Sequence, residues 1–197
     1  MGFPDRLKLP VAFDPALLAA DLATLAAVTW TPHFVEQNYE GDWSVIALRA
    51  PEGTASQHPI RQIYSDPSIT DFEDTPLMDA CPHMRAAANA FGAPHAVRLM
   101  RLTPGSVIKE HRDHDLAAEA GMARIHVAVA TNADVVFELN RRRVDIGAGQ
   151  AWYLRLADPH RVANLGAADR VHLVIDVPFN ATLEALMRQA MADAAAD

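Results

Sequence analysis

Between Val97 and Val177 the chain never runs apolar for long without meeting a turn signal, and this rhythm constrains the fold more than any other feature. Pro104-Gly105, Thr131-Asn132, Asn140, Gly147 to Gly149, Asp158-Pro159 and Gly166 divide the stretch into about seven short β-rich segments. Many short strands with punctuation at this spacing pack as a sandwich or a closed barrel, and a jelly roll protects the strand edges in a chain of this size.

The flanks read differently. Asp14 and Pro15 stand before a Leu-rich stretch ending near Leu25, an N-cap followed by proline at the first helical position. Trp30 to Arg49 suits two short strands broken at Gly41-Asp42, with Ser44 to Leu48 the better of them. Pro51 to Pro76 is dense in Pro, Ser, Thr and Asp and reads as a long loop, the kind of segment that often closes over a substrate. A second helical stretch runs from Thr75-Pro76 to Phe91, divided by Pro82 and ended by Gly92. Asn180 caps a last helix that should lie outside the barrel. The expectation is one domain over 1–197, mainly β with flanking helices: an N-terminal elaboration over 1–96, a jelly-roll core over 97–178 and a C-terminal helix over 179–197.

Composition narrows the partners. Asp plus Glu is 25 against 17 for Lys plus Arg, a formal charge of −8, which disfavours phosphate backbones and anionic headgroups. Nucleic acid and membrane are therefore not expected as partners. No apolar stretch approaches the roughly 18 residues of a membrane span. A lone cysteine, Cys81, makes no intramolecular disulfide, and the charged start carries no signal sequence, so a reduced, cytoplasmic protein is expected.

Of nine histidines, His33, His58, His83 and His95 carry no argument beyond their identity. His111 and Asp113 do, because alternate side chains of an extended chain share a face and offer an imidazole and a carboxylate together. Taken alone, His-x-Asp is equally a polar strand end, so the pair needs a third donor. His160 supplies it, after the Asp158-Pro159 turn. Two histidines and one carboxylate form the facial set that leaves coordination positions open for non-haem iron. A structural zinc would want a closed fourth ligand, often sulfur, and Cys81 stands alone in a helical region.

Arg170 begins a segment in which Val171, Leu173, Ile175 and Val177 share one face and Arg170, His172 and Asp176 the other. A guanidinium inside a barrel needs an anion, and its planar fork matches a carboxylate. The competing reading pairs Arg170 with Asp176 or Asp169 in solvent.

Taken together, these blocks resemble the aspartyl/asparaginyl β-hydroxylase-like group of Fe(II)- and 2-oxoglutarate-dependent dioxygenases, whose bacterial branch includes free-proline cis-4-hydroxylases. The resemblance runs through Arg101 to Gly105, Ile108 to Asp113, Arg124 to His126, Gly149 to Tyr153, Pro159 to Asn164 and Arg170 to Val177. It implies a double-stranded β-helix, the cupin-like jelly-roll barrel, with His111, Asp113 and His160 holding Fe(II) and Arg170 holding the distal carboxylate of 2-oxoglutarate. It also implies that His126 contacts 2-oxoglutarate and that Arg124 holds either the cosubstrate or a substrate carboxylate; a purely structural His126 is equally compatible with the residues. The implied reaction consumes O2 and 2-oxoglutarate, releases succinate and CO2, and hydroxylates an unactivated C–H bond of a free amino acid or small peptide. Animal members lack the acidic ligand, so the presence of Asp113 places the chain with the bacterial branch and argues against halogenation, which requires that position vacated for halide.

Other residues have a site reading and a plainer one. Arg98 and Arg101 are candidates for a substrate carboxylate, His114 and Asp115 for support of the metal or for a solvated loop, His172 for the cosubstrate pocket or the interior, and Trp152 and Tyr153 for one pocket wall and one core residue. Arg141 to Arg143 read as a charged hairpin tip. Two other functions fit the same barrel: a cupin-like metal- or ligand-binding module without oxidative turnover, and an isomerase or hydrolase using zinc or manganese. The sequence does not speak to oligomeric state.

Overall fold

The computed structural model describes residues 2–63 and 69–195. Its strands are β1 (Arg6–Ala12), β2 (Thr31–Pro32), β3 (Tyr39–Glu40), β4 (Trp43–Pro51), β5 (Phe72–Asp74), β6 (Ala96–Leu102), β7 (Val107–His111), β8 (Met122–Ala130), β9 (Val135–Leu139), β10 (Arg142–Arg143), β11 (Gln150–Leu154), β12 (His160–Asn164) and β13 (Arg170–Pro178). The α-helices are α1 (Pro15–Thr24), α2 (Pro59–Ile63), α3 (Pro82–Asn89) and α4 (Ala181–Ala194).

Two antiparallel sheets face each other. The larger runs β1-β11-β8-β13-β6-β4-β2, with β5 on β4, and the smaller runs β10-β9-β12-β7-β3. This is the expected cupin-like jelly roll, built as two opposed sheets without a ladder that closes the ring among the described residues. Inside 97–178 the strands number one more than the turn signals suggest, because the two-residue β10 follows β9 through a tight turn in which Asn140 and Arg141 both have positive φ. Arg141 to Arg143 thus form the hairpin tip the sequence proposes.

Side-chain alternation sorts the core into two layers. Outward residues of the large sheet, among them Val97, Leu99, Ile125, Val127, Leu173 and Ile175, pack under α1, α3 and α4 through Leu18, Met84, Leu183 and Met187. Inward residues, among them Met100, Leu102 and Val174, meet Ile108, Phe137 and Val162 of the small sheet. Each fully buried aliphatic side chain here contributes about 1.5–3 kcal/mol, so both layers hold the sheets in register. The polar residues Arg98, His126, Arg170, His172 and Asp176 are also buried on inward positions, and these prepare the site.

The flanks follow local chemistry. Asp14 accepts from the Ala16 amide at the start of α1, and Asn180 accepts from the Leu183 amide at the start of α4. Thr75 to Phe91 divides at Pro82 into a 3-10 turn (Pro76–Ala80) and α3, as the proline requires. The Pro51 to Pro76 stretch is not a plain loop: it holds α2 and the short β5 paired to β4, while its residues 64–68 lie outside the described residues.

At one edge β1 pairs with β11, and Gly149 makes the join possible. Its φ is +75°, and a Cβ there would stand 2.1 Å from the carbonyl oxygen of Phe13, whose amide donates to Gly149 at 2.8 Å. Among the described residues no helix is long and apolar enough to cross a membrane.

Candidate active site

The strand register brings the predicted donors together. His160, opening β12, lies directly opposite His111, ending β7. Asp113 sits just beyond β7, where its amide donates to the Leu156 carbonyl at 2.9 Å. One donor atom from each of His111, Asp113 and His160 falls within 4.8 Å of the other two. Cys81 is buried in the outer helical layer, far from this cluster in the fold's layering.

The hydrogen bonds fix which imidazole nitrogens are available. His111 Nδ1 lies 2.8 Å from the Lys109 carbonyl, and His160 Nδ1 lies 3.0 Å from the Asp158 carbonyl. A carbonyl only accepts, so both Nδ1 atoms carry the proton and both Nε2 atoms keep a lone pair, the arrangement that orients metal-binding histidines. Burial, followed by the neighbouring His111, pushes His160 down to about 4, so it is neutral at physiological pH. The donor set thus suits a divalent metal with open coordination positions.

Next to the donors runs a chain of buried charges. Arg124 Nε and Nη2 meet the two oxygens of Asp176 at 2.6 and 2.9 Å, and its Nη1 meets Asp113 Oδ2 at 2.9 Å. Arg98 Nη1 adds a bond to Asp176 at 2.9 Å. Burial alone would lower the Arg124 pKa, but Asp176 and Asp113 raise it above the ordinary arginine value. For Asp176 burial raises and the two arginines lower, leaving it at about 2. Arg124 therefore spends its fork on two protein carboxylates, and one of them is a donor of the metal cluster. The contact with Asp113 leaves Oδ1 as the freer oxygen, 3.7 Å from His111 Nε2.

Arg170 is the opposite case. It is 2% exposed, lies 5.9 Å from the Phe137 ring centre, and donates from Nη2 to His172 Nδ1 at 2.8 Å. Among the described residues no carboxylate pairs with it, and its Nε has no hydrogen-bond partner. Burial pushes it down to about 9, still protonated at neutral pH. Pairing with Asp176 or Asp169 does not occur: Asp176 belongs to Arg98 and Arg124, and Asp169 lies 3.9 Å from Arg101. His126 Nδ1 lies 3.3 Å from His172 Nδ1, and the buried Nε2 atoms of both rings have no partner among the described residues. Burial, then the charge on Arg170, keeps both imidazoles neutral. A buried cation without an anion, beside unpartnered imidazole nitrogens, fits a bound carboxylate.

The remaining candidates separate by face. Arg98 lines a cavity of about 460 Å³ that also reaches His111, Asp113 and Arg124. Arg101 has the other parity; it stacks over Trp30 at 4.7 Å and bonds Asp42, away from that cavity. His114 and Asp115 are exposed at the cavity lining. Tyr153 is the core residue, its hydroxyl accepting from the Ala118 amide, and Trp152 is half-buried on the inward face. His33 is the residue sequence reasoning missed. It stacks on Trp43 with ring centres 3.6 Å apart and planes 7° from parallel, and both line the cavity. Burial, helped by the charge on Arg124, pushes His33 down to about 3, so it is an uncharged aromatic wall. Only Trp43, ten residues on, hinted at this partner.

Known proteins place the chain. Over 181 residues it is 26% identical to the L-proline cis-4-hydroxylase of Rhizobium meliloti (strain 1021), covering 90% of this chain and 62% of that protein. Two solved structures share the fold: a 2OG-Fe(II) oxygenase family oxidoreductase from Burkholderia pseudomallei, with TM-score 0.56, 16% identity and coverage of 89% of this chain and 86% of the other, and a Pseudomonas putida prolyl-4-hydroxylase, with TM-score 0.51, 14% identity and coverage of 89% and 93%. The profile of the aspartyl/asparaginyl β-hydroxylase family matches residues 16–178, and the chain belongs to that family.

Proposed function

We propose that the chain is a single-domain, cytoplasmic Fe(II)- and 2-oxoglutarate-dependent dioxygenase that hydroxylates an unactivated C–H bond of a free amino acid or small peptide. The observation that carries this reading is the pairing of an open His111–Asp113–His160 donor set with a buried Arg170 that meets no carboxylate. When bound, ferrous iron and 2-oxoglutarate supply an O2-driven oxidation that releases succinate and CO2 and leaves a hydroxyl on the substrate.

The chain's own part is positioning. Lys109 and Asp158 carbonyls hold the two imidazoles with Nε2 free, and Arg124 holds Asp113 by one oxygen. Arg170 would receive the distal carboxylate, with His126 and His172 beside it. Burial strengthens that charge pairing and keeps water away from it. Arg124, expected from the family to hold a carboxylate of the cosubstrate or substrate, acts in this reading through Asp113, and its guanidinium faces the cavity where a substrate carboxylate would arrive. A plain metal-binding module or a zinc hydrolase would have no use for the unpaired Arg170. The named activity of the Rhizobium relative supports a small amino acid as substrate.

Adding Fe(II) and 2-oxoglutarate without oxygen should give a weak visible charge-transfer band, lost in His111→Ala and His160→Ala. Absence of the band, together with no conversion of 2-oxoglutarate to succinate with any amino acid or short peptide, overturns the proposal.

A further inference from the structure

We infer that the substrate is a monocarboxylate with a flat or bulky apolar body larger than the proline ring, an aromatic or large aliphatic α-amino acid in its simplest form. This rests on the proposed reaction and extends it to the residues that choose the substrate.

The first argument is shape. The cavity beside His111 and Asp113 measures about 460 Å³, inside the range of roughly 300–1,000 Å³ that accommodates drug-sized ligands and more than a five-membered imino acid fills. Arg170, His126 and His160 are not on its lining, so the distal carboxylate of the cosubstrate would lie outside it and only the metal-binding end would share this space with the substrate.

The second is the chemistry of the walls. One side is the His33–Trp43 stack, continued by Phe34, which stacks on His33 with ring centres 4.7 Å apart. The same lining carries a second stacked pair, Phe72 and His95, with ring centres 4.7 Å apart and planes 15° from parallel, together with Met100 and Leu116. A lining of two aromatic stacks with a thioether and an aliphatic side chain favours a planar or bulky apolar group.

The third is charge. Arg98 and Arg124 both line the cavity, with Asp113, Asp115 and Asp176 on the same lining. Arg98 and Arg124, on the two strands that flank β13, are placed to receive one substrate carboxylate. A second carboxylate, on the side chain, would lie against the apolar walls. Asp115, exposed on the same lining, is available to an α-ammonium.

The test uses the Fe(II) and 2-oxoglutarate complex under anaerobic conditions, titrated with L-phenylalanine, L-leucine, L-proline, L-glutamate and L-phenylalaninamide. Binding is read by tryptophan fluorescence and by perturbation of the visible band. L-Phenylalanine or L-leucine should bind about tenfold or more tighter than L-proline, and the amide, lacking the charge, about tenfold or more weaker than the acid. His33→Ala should weaken L-phenylalanine several-fold and leave L-proline unchanged. Arg98→Gln should erase the difference between acid and amide while the 2-oxoglutarate band persists; if that variant does not fold, Arg98→Lys and the ligand series on the unaltered protein decide. L-Proline or L-glutamate binding tightest, or the amide matching the acid, overturns the inference. A missing band with the fluorescence order intact overturns the proposed reaction instead, leaving the cavity's preference standing.

Discussion

Arg124 and Arg170 stand on neighbouring strands, point into the same interior and meet opposite surroundings. Arg124 touches two carboxylates and is held more firmly charged than an arginine in water; Arg170 touches an imidazole and a phenyl ring and is pushed down to about 9. The comparison teaches that a buried guanidinium is read by its counter-ions. One whose charge is met within the fold is held and oriented there, and one that is left unmet is open to an anion from outside.

The comparison can be broken from either end. The largest effect is expected for Asp176→Asn, which strips the shared anion from Arg98 and Arg124: a stability loss of about 3–5 kcal/mol by urea unfolding, with weaker Fe(II) retention in chelator competition because Arg124 no longer holds Asp113 steadily. Unchanged stability would mean the arginines are not held by Asp176. Next comes Arg170→Met. Affinity for 2-oxoglutarate, titrated through the visible band, should fall about a hundredfold, in line with the 2–5 kcal/mol lost when one partner of a buried charge pair is truncated. The unfolding midpoint of the ligand-free variant should not fall, because the change removes an unbalanced charge. Equal losses of iron and 2-oxoglutarate would make Arg170 structural.

The smallest effect is a pH dependence. Asp176 is held at about 2 in the fold, below its ordinary 3.8, so the carboxylate's contribution is complete above pH 4 and disappears as the pH falls toward 2. Between those limits the unaltered protein should lose about 2 kcal/mol more stability than Asp176→Asn does, measured by urea unfolding across the range.

The His111–Asp113–His160 cluster was legible because its signal is local: two residues with one between them at the end of a strand, a third after a proline turn, and Arg170 by parity on β13. What the sequence could not supply was register. Asp176 looked like a partner for Arg170 because both share a face, yet antiparallel pairing sets Asp176 opposite Arg124 and Arg98 opposite Val174, six and four residues along the strand from Arg170. The same limit hid His33, whose worth comes from a stack on Trp43, and β5, whose strand character comes from pairing with β4 across a poorly patterned stretch. Helix caps and turn glycines were readable because a cap acts within a few residues of itself.

Gly149 has a consequence for handling the protein. Because only a bare α-carbon fits under Phe13, the opening strand lies flat along β11 and hides its amides, one strand away from the carrier of Arg124 and His126. Bulk at that glycine, or clipping of the first dozen residues, would bare a seam to which other extended chains can zip, and fibrous self-association would then compete with folding.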